Sequence, residues 1–176
     1  AVSGPAHGYW GGGYNNSVSV SRMQRLDYSN DTAALTQKGS ISSARYNPVG
    51  TGNVSYGYWA GGNHPGPKTS VIDRLDYAND SATASPKGAL TASKYAMSGC
   101  GTKEYGYIGA GGQQPGPDFS TTDRIDYSND TATALARGVL NRAARSTAAA
   151  SNTTYGYWAG GTTPYPVPTS KVSRLT

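Results

Sequence analysis

Apolar residues in this chain come in short bursts separated by glycines and polar turns. No window repeats them at helical spacing over three turns. Residues 56–60, Tyr-Gly-Tyr-Trp-Ala, form an aromatic burst closed by Gly61-Gly62, the mark of a strand and its end. Residues 70–77 follow the two-residue period of a strand, with Val71, Leu75 and Tyr77 on one face and Ile72, Arg74 and Asp76 on the other. Asn79-Asp80 predicts a tight turn, because these short side chains bond their own backbone and tolerate positive φ. A weak strand over 82–85, broken by Gly88, and a further strand over 93–99 bring the count to four within about fifty residues.

The same order of landmarks returns along the chain. Gly-Tyr-Trp stands at Gly8, Gly57 and Gly156, with Gly106-Tyr107-Ile108 between, in steps of 49, 49 and 50 residues. Arg-Leu/Ile-Asp-Tyr begins at Arg25, Arg74 and Arg124, and a shortened fourth copy ends at Arg174-Leu175. Asn-Asp follows at Asn30, Asn79 and Asn129, then a single glycine at Gly39, Gly88 and Gly138. Separate landmarks held in one register define a repeat protein. Four antiparallel strands per unit predict an all-β propeller of 49-residue blades, three complete and a fourth incomplete. The repeats run over about 1–43, 44–92, 93–142 and 143–176 of a single domain. An unfinished blade predicts self-association or completion by further residues, since a bare edge strand recruits another chain.

Composition changes the picture in one respect. Leu, Ile, Val and Phe make up about 12% of the residues, too few for an aliphatic core. Fourteen tyrosines and three tryptophans must supply the buried surface instead, so Tyr58, Trp59 and Tyr77 are expected in the core. The formal net charge of +5 comes from dispersed Lys and Arg, without the clustered stripe of a nucleic-acid binder. The apolar runs are too short for a membrane span.

Candidate chemistry is sparse. Arg25 and Asp27, Arg74 and Asp76, and Arg124 and Asp126 are each two apart on a strand, so each couple shares a face and is expected as an inter-blade ion pair. A carboxylate acid/base pair is disfavoured, because Glu104 is the only glutamate. The Asp27–Asp31 run lacks the ligand spacing and closing Glu of a calcium loop and predicts a hairpin turn. The Asn-x-Ser/Thr triplets headed by Asn15, Asn30, Asn53, Asn79, Asn129 and Asn152 are read mainly as turn residues. Neither His7 nor His64 recurs, Cys100 has no partner thiol, and the glycine-rich stretches lack the helix a phosphate loop needs. No catalytic residue, metal or cofactor is expected. Copies differ most at 63–68, 113–119 and 162–168, so partner contacts are expected at His64, Lys68, Phe119 and Tyr165 on rim loops.

The order strand, glycine pair, loop, strand ending Asp-Tyr, Asn turn, together with the basic residue in Ala44-Arg45-Tyr46 and Ser93-Lys94-Tyr95, resembles the kelch repeat over nearly the whole chain. It departs where kelch units place a Trp after the turn: Ala33, Ala82 and Ala132 lie near that position, and the large ring stands beside the glycine pair. The wording Tyr-Ser-Asn-Asp-Thr-Ala (127–132) is similar to repeat virion proteins of phages infecting cyanobacteria. These resemblances imply a non-enzymatic structural or interaction module, virion-borne or extracellular, on a surface or tail fibre. Its expected partners are other copies of itself, other proteins of an assembly, or surface glycans; the glycan-binding propeller is the alternative reading.

Overall fold

The computed structural model describes residues 1–64, 68–113, 115–163 and 166–176. The chain is all-β, with four antiparallel sheets in a propeller-like arrangement. Blade 1 holds β1 (Val2–Ser3), β2 (His7–Asn15), β3 (Val18–Asp27) and β4 (Thr36–Ser40). Blade 2 holds β5 (Val49–Gly52), β6 (Tyr56–Ala60), β7 (Val71–Asp76) and β8 (Ser85–Ala89). Blade 3 holds β9 (Ser98–Gly101), β10 (Tyr105–Gly109), β11 (Thr121–Asp126) and β12 (Leu135–Val139). Blade 4 holds β13 (Ala148–Ser151), β14 (Gly156–Ala159) and β15 (Val172–Leu175). Strands lie side by side in sequence order within every blade.

Two local expectations are corrected. The strand placed at 93–99 does not close blade 2: it forms as β9, pairs with β10 and opens blade 3. Gly88 does not break a strand but lies inside β8, and the strand expected at 82–85 forms over Ser85–Ala89. The first rim also departs from the others. A two-residue turn at Asn16 and Ser17, both at positive φ, extends the β2–β3 hairpin where blades 2–4 carry proline-rich loops.

The core is divided among the junctions, because a sheet whose two faces both meet neighbours can bury apolar residues on both. In β7, Ile72, Asp73 and Leu75 are all buried, and a register shift against β8 between Val71 and Asp73 helps place them. Adjacent ring residues of β6 point opposite ways. Trp59 packs back among Tyr9, Met23 and Ile41 of blade 1, while Tyr58 packs forward among Ile108, Ile125 and Tyr127 of blade 3. Both rings are fully buried, and Tyr77 is partly so. At the third junction the cluster shrinks to Ala110, Leu140 and Trp158, with Cys100, Tyr107, Ala149 and Leu175 half-buried around them. The innermost strands touch in the order β1, β5, β9, β13; among the described residues, no strand of blade 4 makes more than marginal contact with one of blade 1.

Candidate functional site: the blade junctions

The Asp-Tyr-x-Asn-Asp segments of blades 2 and 3 divide their two carboxylates between two tasks, and that of blade 1 performs the first. The first caps the turn. Asp27 accepts the Ser29 backbone N–H at 2.9 Å and the Ser29 hydroxyl at 2.7 Å. Asp76 accepts from the Ala78 N–H and Asp126 from the Ser128 N–H, both at 2.9 Å, each opening a short 3-10 turn (Tyr77–Asn79 and Tyr127–Asn129). The Ser29 and Ser128 bonds hold the carboxyls of Asp27 and Asp126 below their ordinary range. The expected pairing of Arg25 with Asp27, Arg74 with Asp76 and Arg124 with Asp126 is thereby corrected, because the nearby backbone N–H claims the first carboxylate. His7, at the start of β2, lies 3.9 Å from Asp27.

The second carboxylate crosses the junction. Asp80 of blade 2 accepts from Arg25 at 2.7 Å and from the Tyr9 hydroxyl at 3.1 Å, and it lies 3.2 Å from Lys38, all on blade 1. Asp130 of blade 3 repeats this with Arg74 at 2.8 Å, Tyr58 at 3.0 Å and Lys87 at 4.0 Å on blade 2. Burial alone would raise the Asp80 carboxyl, but the bonds from Arg25, Lys38 and Tyr9 prevail and hold it below its ordinary value. The Tyr9 hydroxyl is pushed up to about 12 by burial, reinforced by Asp80; Tyr58 moves further the same way.

The turn also inserts a ring. Tyr77 stacks on Tyr9 with centroids 5.2 Å apart, and Tyr127 on Tyr58 at 4.8 Å. The Tyr127 hydroxyl shares a 2.8 Å hydrogen bond with Thr51 and lies where a Cβ on Gly106 would stand. The glycine of the outer strand completes the contact. The N–H of Gly39 donates to the Asp80 carbonyl at 3.0 Å, and that of Gly88 to the Asp130 carbonyl at 2.8 Å. A Cβ on either glycine would overlap the carbonyl of Ala82 or Ala132 in the arriving turn. So ring, carboxylate and carbonyl dock together on a tyrosine, two cations and a glycine.

A second set of charges ties the crossovers between blades. Arg45 meets Asp73 at 2.7 Å and Lys94 meets Asp123 at 2.9 Å, both pairs fully buried. The matching positions in blade 4 are Ala144 and Ser173, so both charges are replaced together, as the cost of one unpaired buried charge requires. Sequence reasoning singled out Arg45 and Lys94 but missed Asp73 and Asp123. The signal was there, since Asp73 and Asp123 precede the arginine in two repeats whose crossovers are basic.

The candidate rim residues separate. Lys68 lies 5.8 Å from the centroid of the Tyr95 ring, which Arg145 approaches at 5.5 Å. Phe119 sits under the Lys94 ammonium at 5.3 Å, next to Asp118, which binds Arg145. Lys68 and Phe119 thus gather at one crossover and are half-buried there. His64 follows Asn63, whose amide donates to the Tyr46 hydroxyl at 2.6 Å at the preceding crossover. Tyr165 lies outside the described residues. Among the described residues, no three His, Cys, Asp or Glu side chains converge as a metal-ligand set, and no helix is long and apolar enough to cross a membrane. Compared with known proteins, the chain matches no family model and no curated protein.

Proposed function

We propose that the chain is a non-catalytic structural and interaction module, a kelch-like propeller carried on the surface or tail fibre of a virion. The observation that carries this reading is the use of the recurring polar residues. The Arg, Asp, Tyr and Gly of the first two repeat boundaries are engaged in holding one blade against the next, and the basic crossovers are paired within the fold. What differs among copies is concentrated on the rim, where a scaffold meets partners without chemistry of its own. Co-fractionation with particles from infected cells, at a fixed copy number and resistant to high salt, is the expected result. Recovery only as a free protein would overturn the reading. Specific retention of one glycan class on an array, lost on Phe119→Ala, would replace it by a glycan-binding propeller.

A further inference from the structure

The rim of blade 1 presents two aromatic rings that the framework between blades does not use. Where the other blades carry proline-rich loops, residues 13–20 continue the β2–β3 hairpin and raise Tyr14 on it. The position of Tyr14 is Asn63, Gly112 and Thr162 in the other copies, so its ring is no part of the recurring scaffold. A register shift between Gly11 and Gly13 bends the hairpin onto the crossover that leads from blade 1 into blade 2. Gly12 and Gly13 stand at positive φ there. A Cβ on Gly12 would overlap the Arg45 carbonyl, which accepts the Gly13 N–H at 2.9 Å. Tyr14 is thereby laid against Tyr46, with ring centroids 5.0 Å apart and planes at 54°. Tyr46 is itself fixed: its backbone exchanges two hydrogen bonds with Asn63, and its hydroxyl accepts from the Asn63 amide at 2.6 Å. Both sheets that meet at this crossover have all four strands. Even so, Tyr14 keeps 61% of its surface in water and Tyr46 is only half-buried. At the next crossover the matching ring, Tyr95, is buried beside Lys68 and Arg145.

We infer that the Tyr14–Tyr46 corner binds a neutral sugar ring presented by a glycan. A pyranose carries C–H groups across one face and hydroxyls around its edge. It therefore lies flat on an exposed phenol and sets its edge against a second ring that meets the first at an angle. Amides serve the hydroxyls. Asn15, Asn16 and Asn47 are exposed around the corner, and each side chain has both a donor and an acceptor to give. The class of ligand follows from charge. No Lys, Arg, Asp or Glu occurs in 12–20 or 46–49, and Arg45 between them is buried against Asp73, so the corner offers no counter-ion to a charged ligand. An aliphatic protein surface would cover those amides without giving them partners, which costs free energy. Each phenol has two side-chain torsions to fix, so little freedom is lost on binding. The inference gives the interaction module proposed above a ligand and rests on that reading.

The probe is an array that sets neutral oligosaccharides of glucose, galactose and mannose beside sialylated and sulfated ones, overlaid with the whole chain. The best-retained neutral oligosaccharide is then titrated by calorimetry, and saturable binding is expected. Tyr14→Ala should weaken it about tenfold or more, as truncation of a central aromatic contact does. Tyr14→Phe, which keeps the ring face, should stay within about threefold of the parent. Because Tyr14 is exposed, the alanine variant should keep the parent's melting temperature, and Asn47→Asp, which sets a charge beside the corner, guards against a folding defect by weakening binding from a different segment. Phe119→Ala, at another crossover, should bind as the parent does. No retention of any neutral oligosaccharide overturns the inference, as does retention of charged glycans alone, or binding that Tyr14→Ala leaves unchanged. A protein ligand that depends on Tyr14 while no glycan is held would give the corner to a protein and also overturn it. Particle co-fractionation tests the module reading separately, whichever way the glycans behave.

Discussion

The junction between blades 2 and 3 and the one between blades 3 and 4 are built from the same repeat, yet one is filled and the other is not. In the first, Tyr127 and Asp130 arrive together, and Tyr58, Arg74 and Gly88 are engaged as a set. In the second, Tyr107 lines a cavity, and among the described residues no carboxylate pairs with Arg124 and only the Leu175 side chain approaches Gly138. The difference shows where the stability of such a protein lies. A blade short of aliphatic residues becomes a firm unit only when the next blade's turn covers it. The sharpest test is to remove the ring. Tyr127→Ala should cost about 3–5 kcal/mol, as expected for a buried aromatic deleted from a core. Tyr107→Ala, in the open junction, should cost about 1 kcal/mol or less. Denaturant unfolding of the two variants measures both, and equal losses would dissolve the distinction.

Removing the carboxylate tests the electrostatic half. Asp130→Ala leaves the Arg74 guanidinium and the Tyr58 hydroxyl without their acceptor. Because Arg74 keeps 28% of its side-chain surface in water, the expected loss is about 2–3 kcal/mol rather than the full cost of a dry charge. Arg124→Ala, whose guanidinium rests on the Tyr105 ring and among the described residues makes no ion pair, should fall within about 1 kcal/mol of the parent.

Much of this was legible in the sequence, and the misses share a cause. The period, the aromatic bursts and the Asn turn gave the blades, because a strand's alternation and a turn's local bonding are short-range facts. The partner choices were not legible, because they depend on what lies across a junction. Arg74 has Asp76 two residues away, yet bonds Asp130, which is 56 residues distant. Gly88 looks like a strand breaker until the turn that passes over it is in place. Lys68 and Phe119 stand in loops that vary between copies, and nothing in that variation shows that both settle at the same crossover.

Proton linkage sharpens the comparison from both ends of the pH scale. Asp80 lies below its ordinary value of 3.8 when folded, so the stability it contributes is present above that pH and lost as pH falls through its lowered folded value. Acid should therefore loosen the first junction, seen as a lower protection factor for the Gly39 amide, which donates to the Asp80 backbone carbonyl. Tyr9, Tyr58, Tyr77 and Tyr127 are raised above their ordinary 10 by burial. Their contribution is complete below pH 10 and is lost as pH rises through the folded values. Absorbance at 295 nm should show these four phenols ionising together with unfolding. A single smooth titration of all phenols in a protein that stays folded would show that the junctions open freely.

The smallest expected effect is the most discriminating. At Gly88 an added methyl must displace the Ala132 carbonyl of the arriving turn, a backbone atom that is itself held in a turn. Gly88→Ala should therefore cost about 1–3 kcal/mol, as overpacking of a close contact does. At Gly138 the same methyl meets only the end of the Leu175 side chain, which can rotate aside. Alanine there also loses less backbone freedom on folding, so Gly138→Ala should be neutral or stabilise by up to about 1 kcal/mol. Both glycines occupy the same repeat position and the same outer strand, so composition and local conformation cancel between the two variants. What remains is whether a turn lies across the strand, and thermal melts of the pair read that single variable. A cost at Gly138 matching that at Gly88 would mean that a turn or its equivalent covers the third junction in solution.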